Sequence, residues 1–454
     1  MYSVDVREYA HGLALSSDNL IQKAAPRTTQ PTDSAVNWID RIHNMPEYFK
    51  AFYNTYAQST NQVLEGNSNW LSDPTKGIKI DDGLGNISYC IPINKWEGNF
   101  SYTYPADLTT DSQIYPIAEL AFTDHIKALE DSMFYFMPYF FVCINYDIPE
   151  AFWIGNYYNW YYNWSYSYSW DGRGNGKIYY SIDMNMELYD DGFSFKINEY
   201  NTAQSVLDGV AEFNDCINGI LKDLPDQSSY YQAKYLNNWL TTHNCYSSAY
   251  YDQNVETPTI VWSPMSALKG NTGYNGPVCE GYARAFKILC DRIGIPAVLA
   301  VGYACSYPGA QGEAHMWNEV QMNDGKWYAV DVTWNDPPVY GLDNVAYTGY
   351  ENDEWFMLGK YSMRNGMTFA ESHPFSLIFD SDYSNIWDCT IQSFIEDYPY
   401  DVANFIDKTF IDRKSVTVHS LTGTVIGRYD SMENALEQLP KGIYIINNRK
   451  IVRP

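Results

Sequence analysis

Cys279, His315 and Asp331 have the residue types and the order needed for acyl transfer through a thiol. A cysteine sulfur attacks a carbonyl as its thiolate, so it needs a base to take its proton and surroundings that favour negative charge. An imidazole can serve as that base. A carboxylate on its far nitrogen fixes the tautomer and stabilises the imidazolium. Whether the three meet depends on the elements that carry them.

Gly276-Pro277 marks a turn, and an apolar face at Tyr282, Ala285, Phe286, Leu289 and Ile293 predicts a helix directly after it. Gly294 and Pro296 end that helix. Cys279 therefore sits in the first turn, where the helix dipole and unpaired amides favour a negative sulfur and can donate to a developing oxyanion. Cys290 and Cys305 read as small buried hydrophobes.

The stretch from Ala314 to Trp334 predicts two strands around Asn323-Asp324-Gly325, a three-residue loop with Gly325 in the left-handed region. That loop pairs Asn318 with Val330 and Val320 with Tyr328, which gives a mostly apolar face. The other face carries His315 opposite Thr333 and Trp317 opposite Asp331. Asp331 is then the diagonal neighbour of His315, roughly 7–8 Å away at the backbone, a gap long side chains bridge.

Composition sets the limits. The chain has 454 residues, of which 45% are hydrophobic and 17% aromatic, enough for several packed cores. A net charge of −26 makes nucleic acid a poor partner. No stretch of apolar residues is long enough to span a membrane as a helix. Eight dispersed cysteines without a CxxC pair argue against a disulfide framework and against a zinc site. Asp81-Asp82-Gly83 and Asp190-Asp191-Gly192 read as turns rather than calcium loops, so no metal and no cofactor is expected.

Along the chain, residues 1–34 read as a linker or frayed arm and 35–225 as an α+β accessory region. That region has helices near 35–60, 114–135 (ending near Pro138) and 202–222, with a hairpin turning at Asp190-Asp191-Gly192. Residues 226–385, opening with a helix at 228–243, form the catalytic domain; 386–407 is a linker, and 408–454 a small all-β module. The aromatic run at 151–170 could stack on sugar rings, but alternating aromatics more often fill a sheet core. The N-terminus lacks an apolar signal region, so the protein is either cytoplasmic or had a signal removed.

The strings GPVCEGYARAFKILCDRIGIPAVLAVGY and AHMWNEVQMNDGKWYAVDVTWND resemble the transglutaminase-like superfamily, a papain-like α+β fold in which a helix-start Cys packs on an antiparallel sheet. The resemblance implies triad roles for Cys279, His315 and Asp331, with Glu280, Trp317 and Trp334 as oxyanion or supporting residues. It also implies a second oxyanion donor upstream, at a position the sequence does not mark. Weaker likeness runs from the helix at 228–243 to about His373-Pro374-Phe375. The tail, with Leu421-Thr422-Gly423 and Leu439-Pro440-Lys441-Gly442, resembles the sorting domain of the type IX secretion system, which implies an extracellular or cell-surface protein.

The resulting expectation is a cysteine enzyme acting on protein, peptide or peptidoglycan-type amides through a thioester, with hydrolysis favoured over cross-linking. The rival expectation is a non-catalytic surface protein that holds a polysaccharide or peptide through the aromatic region. A third is a structural surface protein anchored by the tail.

Overall fold

A computed structural model describes residues 2–12, 37–42, 44–67, 78–80, 87–90, 96–154, 159–187, 197–200, 203–252, 256–337, 349–375, 397–398, 416–420, 425–429, 435, 438–440, 442–446 and 449–453. It combines helices with antiparallel sheets.

The N-terminal region is built on a six-stranded antiparallel sheet. β1 (Tyr2–Gly12) pairs along its whole length with β5 (Asn159–Trp170), so part of the segment expected to be a frayed arm is an edge strand. β2 (Ile78–Ile80), β3 (Ile87–Cys90) and β4 (Trp96–Thr103) follow the helix Glu47–Leu64, and β3 and β4 both pair with β6 (Asn175–Glu187). β5 and β6 form a long hairpin. Its turn is held by Asp171, whose carboxylate accepts from Arg173 N at 2.7 Å and Asn175 N at 3.0 Å. The expected turn at 190–192 lies outside the described residues.

Two helices also depart from expectation. The segment near 35–60 is split: a 3₁₀ turn covers Trp38–Asp40, and α1 (Glu47–Leu64) starts only after Pro46, whose ring suits a helix start and not an interior. α2 (Asp111–Asp147) is far longer than expected and runs through Pro138. A proline inside a helix costs about 3 kcal/mol. Tyr139, Phe140, Cys143 and Ile144, all fully buried beyond it, offset that cost at roughly 1.5–3 kcal/mol for each large apolar side chain.

α2 covers the sheet. Phe122 stacks on Tyr166 at 3.8 Å, and the Tyr168 hydroxyl donates to Asp111 Oδ1 at 2.6 Å. Tyr166, Tyr168 and Trp170 are buried, so this part of the aromatic run fills a core.

α3 (Ala203–Leu221) and α4 (Ser229–His243) match their expected spans. α5 (Pro264–Leu268) and α6 (Cys279–Arg292) follow. α6 packs on a four-stranded antiparallel sheet of β7 (Ala297–Ala304), β8 (Glu313–Gln321), β9 (Trp327–Val330) and β10 (Phe356–Leu358), ordered β10-β9-β8-β7. α7 (Val332–Asn335), the short hairpin of β11 (Met363–Arg364) with β12 (Met367–Thr368), and α8 (Phe369–Ser372) complete this region. The two regions share one apolar core. Trp38 is a pin between them: its backbone N donates to Asp147 Oδ1 at 2.7 Å and its indole to Leu299 O at 3.0 Å.

The C-terminal module has four antiparallel strands, as the sequence pattern predicts: β13 (Val416–His419), β14 (Val425–Tyr429), β15 (Gly442–Ile446) and β16 (Arg449–Arg453), ordered β14-β13-β15-β16. No described helix is long and apolar enough to cross a membrane.

Candidate active site

Cys279 is the first residue of α6, after a Val278 N-cap, and is partly exposed. The helix start is set by its surroundings. Val278 N donates to Val261 O at 3.0 Å. Gly281 lets the first turn press against the Thr259–Trp262 segment, since a Cβ there would meet Ser266 Oγ and Val261 O at 2.7 Å. Asn318 ties sheet to helix, its Nδ2 donating to Ala283 O at 3.0 Å.

The β8–β9 hairpin has the predicted register, with Asn318 opposite Val330 and Val320 opposite Tyr328, and Gly325 at φ +78°. The strand, however, ends at Val330 and not at Trp334. Asp331 is the N-cap of α7, and its Oδ1 accepts from Trp334 N at 3.0 Å. An aspartate that can cap the next turn outcompetes the extended conformation that Val332 and Thr333 prefer. Asp331 therefore meets His315 from a helix cap, not as a cross-strand diagonal.

The contact itself is direct: His315 Nε2 lies 2.7 Å from Asp331 Oδ2. With Nε2 engaged, Nδ1 is the nitrogen left for Cys279, which lies within electrostatic reach of this ring. Burial works against a charged His315, but the Asp331 carboxylate and Cys279 outweigh it and push the pKa up to about 10. Burial likewise opposes the Asp331 charge, and His315 with His373 overcomes it, holding the carboxyl well below its usual range. Imidazole and carboxylate are thus in direct contact, with the sulfur within electrostatic reach of the ring.

The supporting residues divide. Trp334 leans on the site, its ring 5.8 Å from His315 and 4.6 Å from His373. Trp317 is buried edge-on to His373 at 5.2 Å. Glu280 is paired with Arg284 at 2.7 Å, one turn along α6. An ionised carboxylate only accepts hydrogen bonds, so Glu280 is no oxyanion donor; its role is to hold the helix start.

Two features escaped the sequence reading. Tyr250, 46% exposed, lies within electrostatic reach of Cys279 and Glu313; burial first, then these two groups, raises its hydroxyl pKa. His373 approaches Asp331 Oδ2 at 3.0 Å from the residue after α8. The sequence carried no signal for it beyond a histidine near the end of the weaker likeness.

His315, Asp331 and His373 could also hold a metal ion, since their ligand atoms lie within 4.8 Å of one another. Their spacings of 2.7 and 3.0 Å are those of N–H···O bonds. Tetrahedral zinc at roughly 2.0–2.1 Å from each ligand would spread them wider. The trio is a hydrogen-bonded network.

Residues 219–332, which contain all three expected triad residues, match the transglutaminase-like superfamily. They form a transglutaminase-like domain. The kyphoscoliosis peptidases of Mus musculus and Homo sapiens are 29% and 28% identical to the chain over 85 residues. Each match covers 17% of this chain and 13% of the relative, so the chain spans only a small part of these relatives' length. Among solved structures, a TGase matches at 14% identity over 36% of this chain and 42% of its own, with a TM-score of 0.22. A candidate cysteine protease from Cytophaga hutchinsonii matches at 14% identity over 42% and 63%, with a TM-score of 0.21. The matched stretch thus begins inside α3 and ends one residue past Asp331, while His373 lies beyond it.

Proposed function

We propose that the protein is a secreted or cell-surface cysteine hydrolase that cleaves amide bonds in proteins or peptides. The observation that carries this reading is His315, buried, hydrogen-bonded to the Asp331 carboxylate and within electrostatic reach of Cys279 at the start of α6. In the first half-reaction Cys279 Sγ bonds to the carbonyl carbon, and the carbonyl electron pair moves to oxygen. Amides of the first turn of α6 stabilise that oxyanion. The oxyanion collapses, the C–N bond breaks, and the amine leaves with the proton from His315. The product is a thioester. Water then attacks, giving its proton to His315, and the carboxylic acid is released as the thiol is restored.

Hydrolysis is favoured over cross-linking by the similarity to peptidases. An amine attacking in place of water would give cross-linking by the same first step. The resemblance of the tail to a secretion sorting domain supports export. A sugar-stacking role for Tyr166, Tyr168 and Trp170 loses support, because these three are buried.

The test is mass spectrometry of peptide mixtures after incubation with the protein and with Cys279→Ala. Cleaved products that vanish in the variant support hydrolysis, and isopeptide-linked products that vanish would move the assignment to transfer. Iodoacetamide should label Cys279 faster than the buried Cys290. Identical product profiles for both proteins would refute the assignment.

A further inference from the structure

Asp331 Oδ2 accepts from two imidazoles, His315 Nε2 at 2.7 Å and His373 Nε2 at 3.0 Å. The second ring is held as firmly as the first. His373 is fully enclosed, stacks on Phe369 at 4.2 Å and 9°, and lies edge-on to Trp334 at 4.6 Å. Its backbone N donates to Phe369 O at 2.7 Å, and Cys305 N donates to Ser372 O at 2.8 Å beside it.

The protons can be assigned. Asp331 is ionised and only accepts, so both facing nitrogens carry hydrogen. Burial holds the second ring neutral, against the pull of Asp331 and with the repulsion of His315. Its Nδ1 is then bare and must accept from Ser372 Oγ, 2.8 Å away. Ser372 Oγ also donates to Phe369 O at 3.0 Å, so its one proton is shared between that carbonyl and the ring.

We propose that His373 is a positioning residue of this site, a neutral imidazole whose N–H shares Asp331 Oδ2 with His315 and so tempers the pull of that carboxylate on the reacting ring. The proposal rests on the reading of His315 as the acid–base group. Such a group must give up its proton to a leaving amine, and a carboxylate with no second donor would hold that proton too tightly. The groups that set the charge on His315 are Asp331 and Cys279; those around His373 are Asp331 and the Phe369 carbonyl, which favour its charge, and His315, which opposes it.

The test is NMR titration of His315 in protein labelled with ¹⁵N-histidine. His373→Phe keeps a ring on Phe369 and removes the N–H; His373→Gln keeps a side-chain N–H. The Phe variant should titrate higher by roughly half a unit or more, and the alkaline limb of Cys279 alkylation should move with it. The Gln variant should stay near the parent. A Phe variant that melts as a folded protein yet titrates like the parent overturns the proposal, as does a Gln variant that shifts as far as Phe. Ser372→Ala leaves Asp331 and both rings in place and loosens only the tautomer. It should give a smaller shift in the same direction, and no shift would also overturn the idea. The titration is read in the resting protein, so failure of the proposed hydrolase function appears separately, as Cys279 labelling no faster than Cys290.

Discussion

Glu319 sits four residues after His315 on β8, 4% exposed, with no hydrogen-bond partner for Oε2 among the described residues. Burial pushes its pKa up to about 8, while Trp317 pulls it down in part. An unfolded chain sheds this proton near pH 4.3, about the ordinary value for glutamate. The folded protein keeps it to about 8, so the carboxyl costs stability progressively as pH rises through that window. Glu319→Met should therefore gain stability over the parent by an amount that grows by roughly 3–4 kcal/mol between pH 5 and pH 8. Urea unfolding at the two pH values checks this, and a difference that stays constant would count against it. His315 adds to the same trend: its raised pKa gives stability that is fully present below about pH 6.5 and is lost as pH rises through about 10. Asp331 opposes both. Its depressed pKa gives stability that is present above about pH 3.9 and lost as pH falls through its folded value.

At the scale of elements, α6 reaches its place because Gly281 lets backbone and side chains from two segments approach its first turn. A methyl group there must displace Val261 O or Ser266 Oγ. Gly281→Ala should cost about 1–3 kcal/mol in chemical denaturation and slow Cys279 alkylation, because the sulfur moves with the turn. Unchanged values for both would show that the contact has slack. α6 and the β8–β9 hairpin were also the elements most legible in the sequence. An apolar face at helical spacing with Gly294 as its stop, and an Asn-Asp-Gly loop between alternating strands, leave little choice of span or register. Legibility failed where tertiary burial decided. Pro138 reads as a stop until the apolar residues beyond it find a core, and Val332-Thr333-Trp334 reads as strand until Asp331 caps it. His373 was invisible for the same reason: nothing local to it shows that the chain returns to Asp331.

At the scale of the molecule, the transglutaminase-like domain does not own its core. Trp38, held by Asp147, and the buried apolar residues of α2 from Met133 to Ile144 belong to the interior that also holds Phe286 and Leu289 of α6. A fragment that begins at Pro225, and so lacks α1, α2 and α3, would expose that interior. It should aggregate or melt without a cooperative transition, where the full chain melts cooperatively, as differential scanning calorimetry would show; a sharp, reversible transition in the fragment would disprove the dependence. One feature of the outer rim bears on how a substrate arrives. Beyond α8 the chain runs beside β7, with Tyr303 N donating to Pro374 O and Gly302 bridged to Phe375. An open strand edge would invite an extended peptide to bind by adding itself to the sheet. Along Gly302–Cys305 the chain's own return segment occupies those main-chain groups, so an extended peptide cannot add itself to that stretch of the edge.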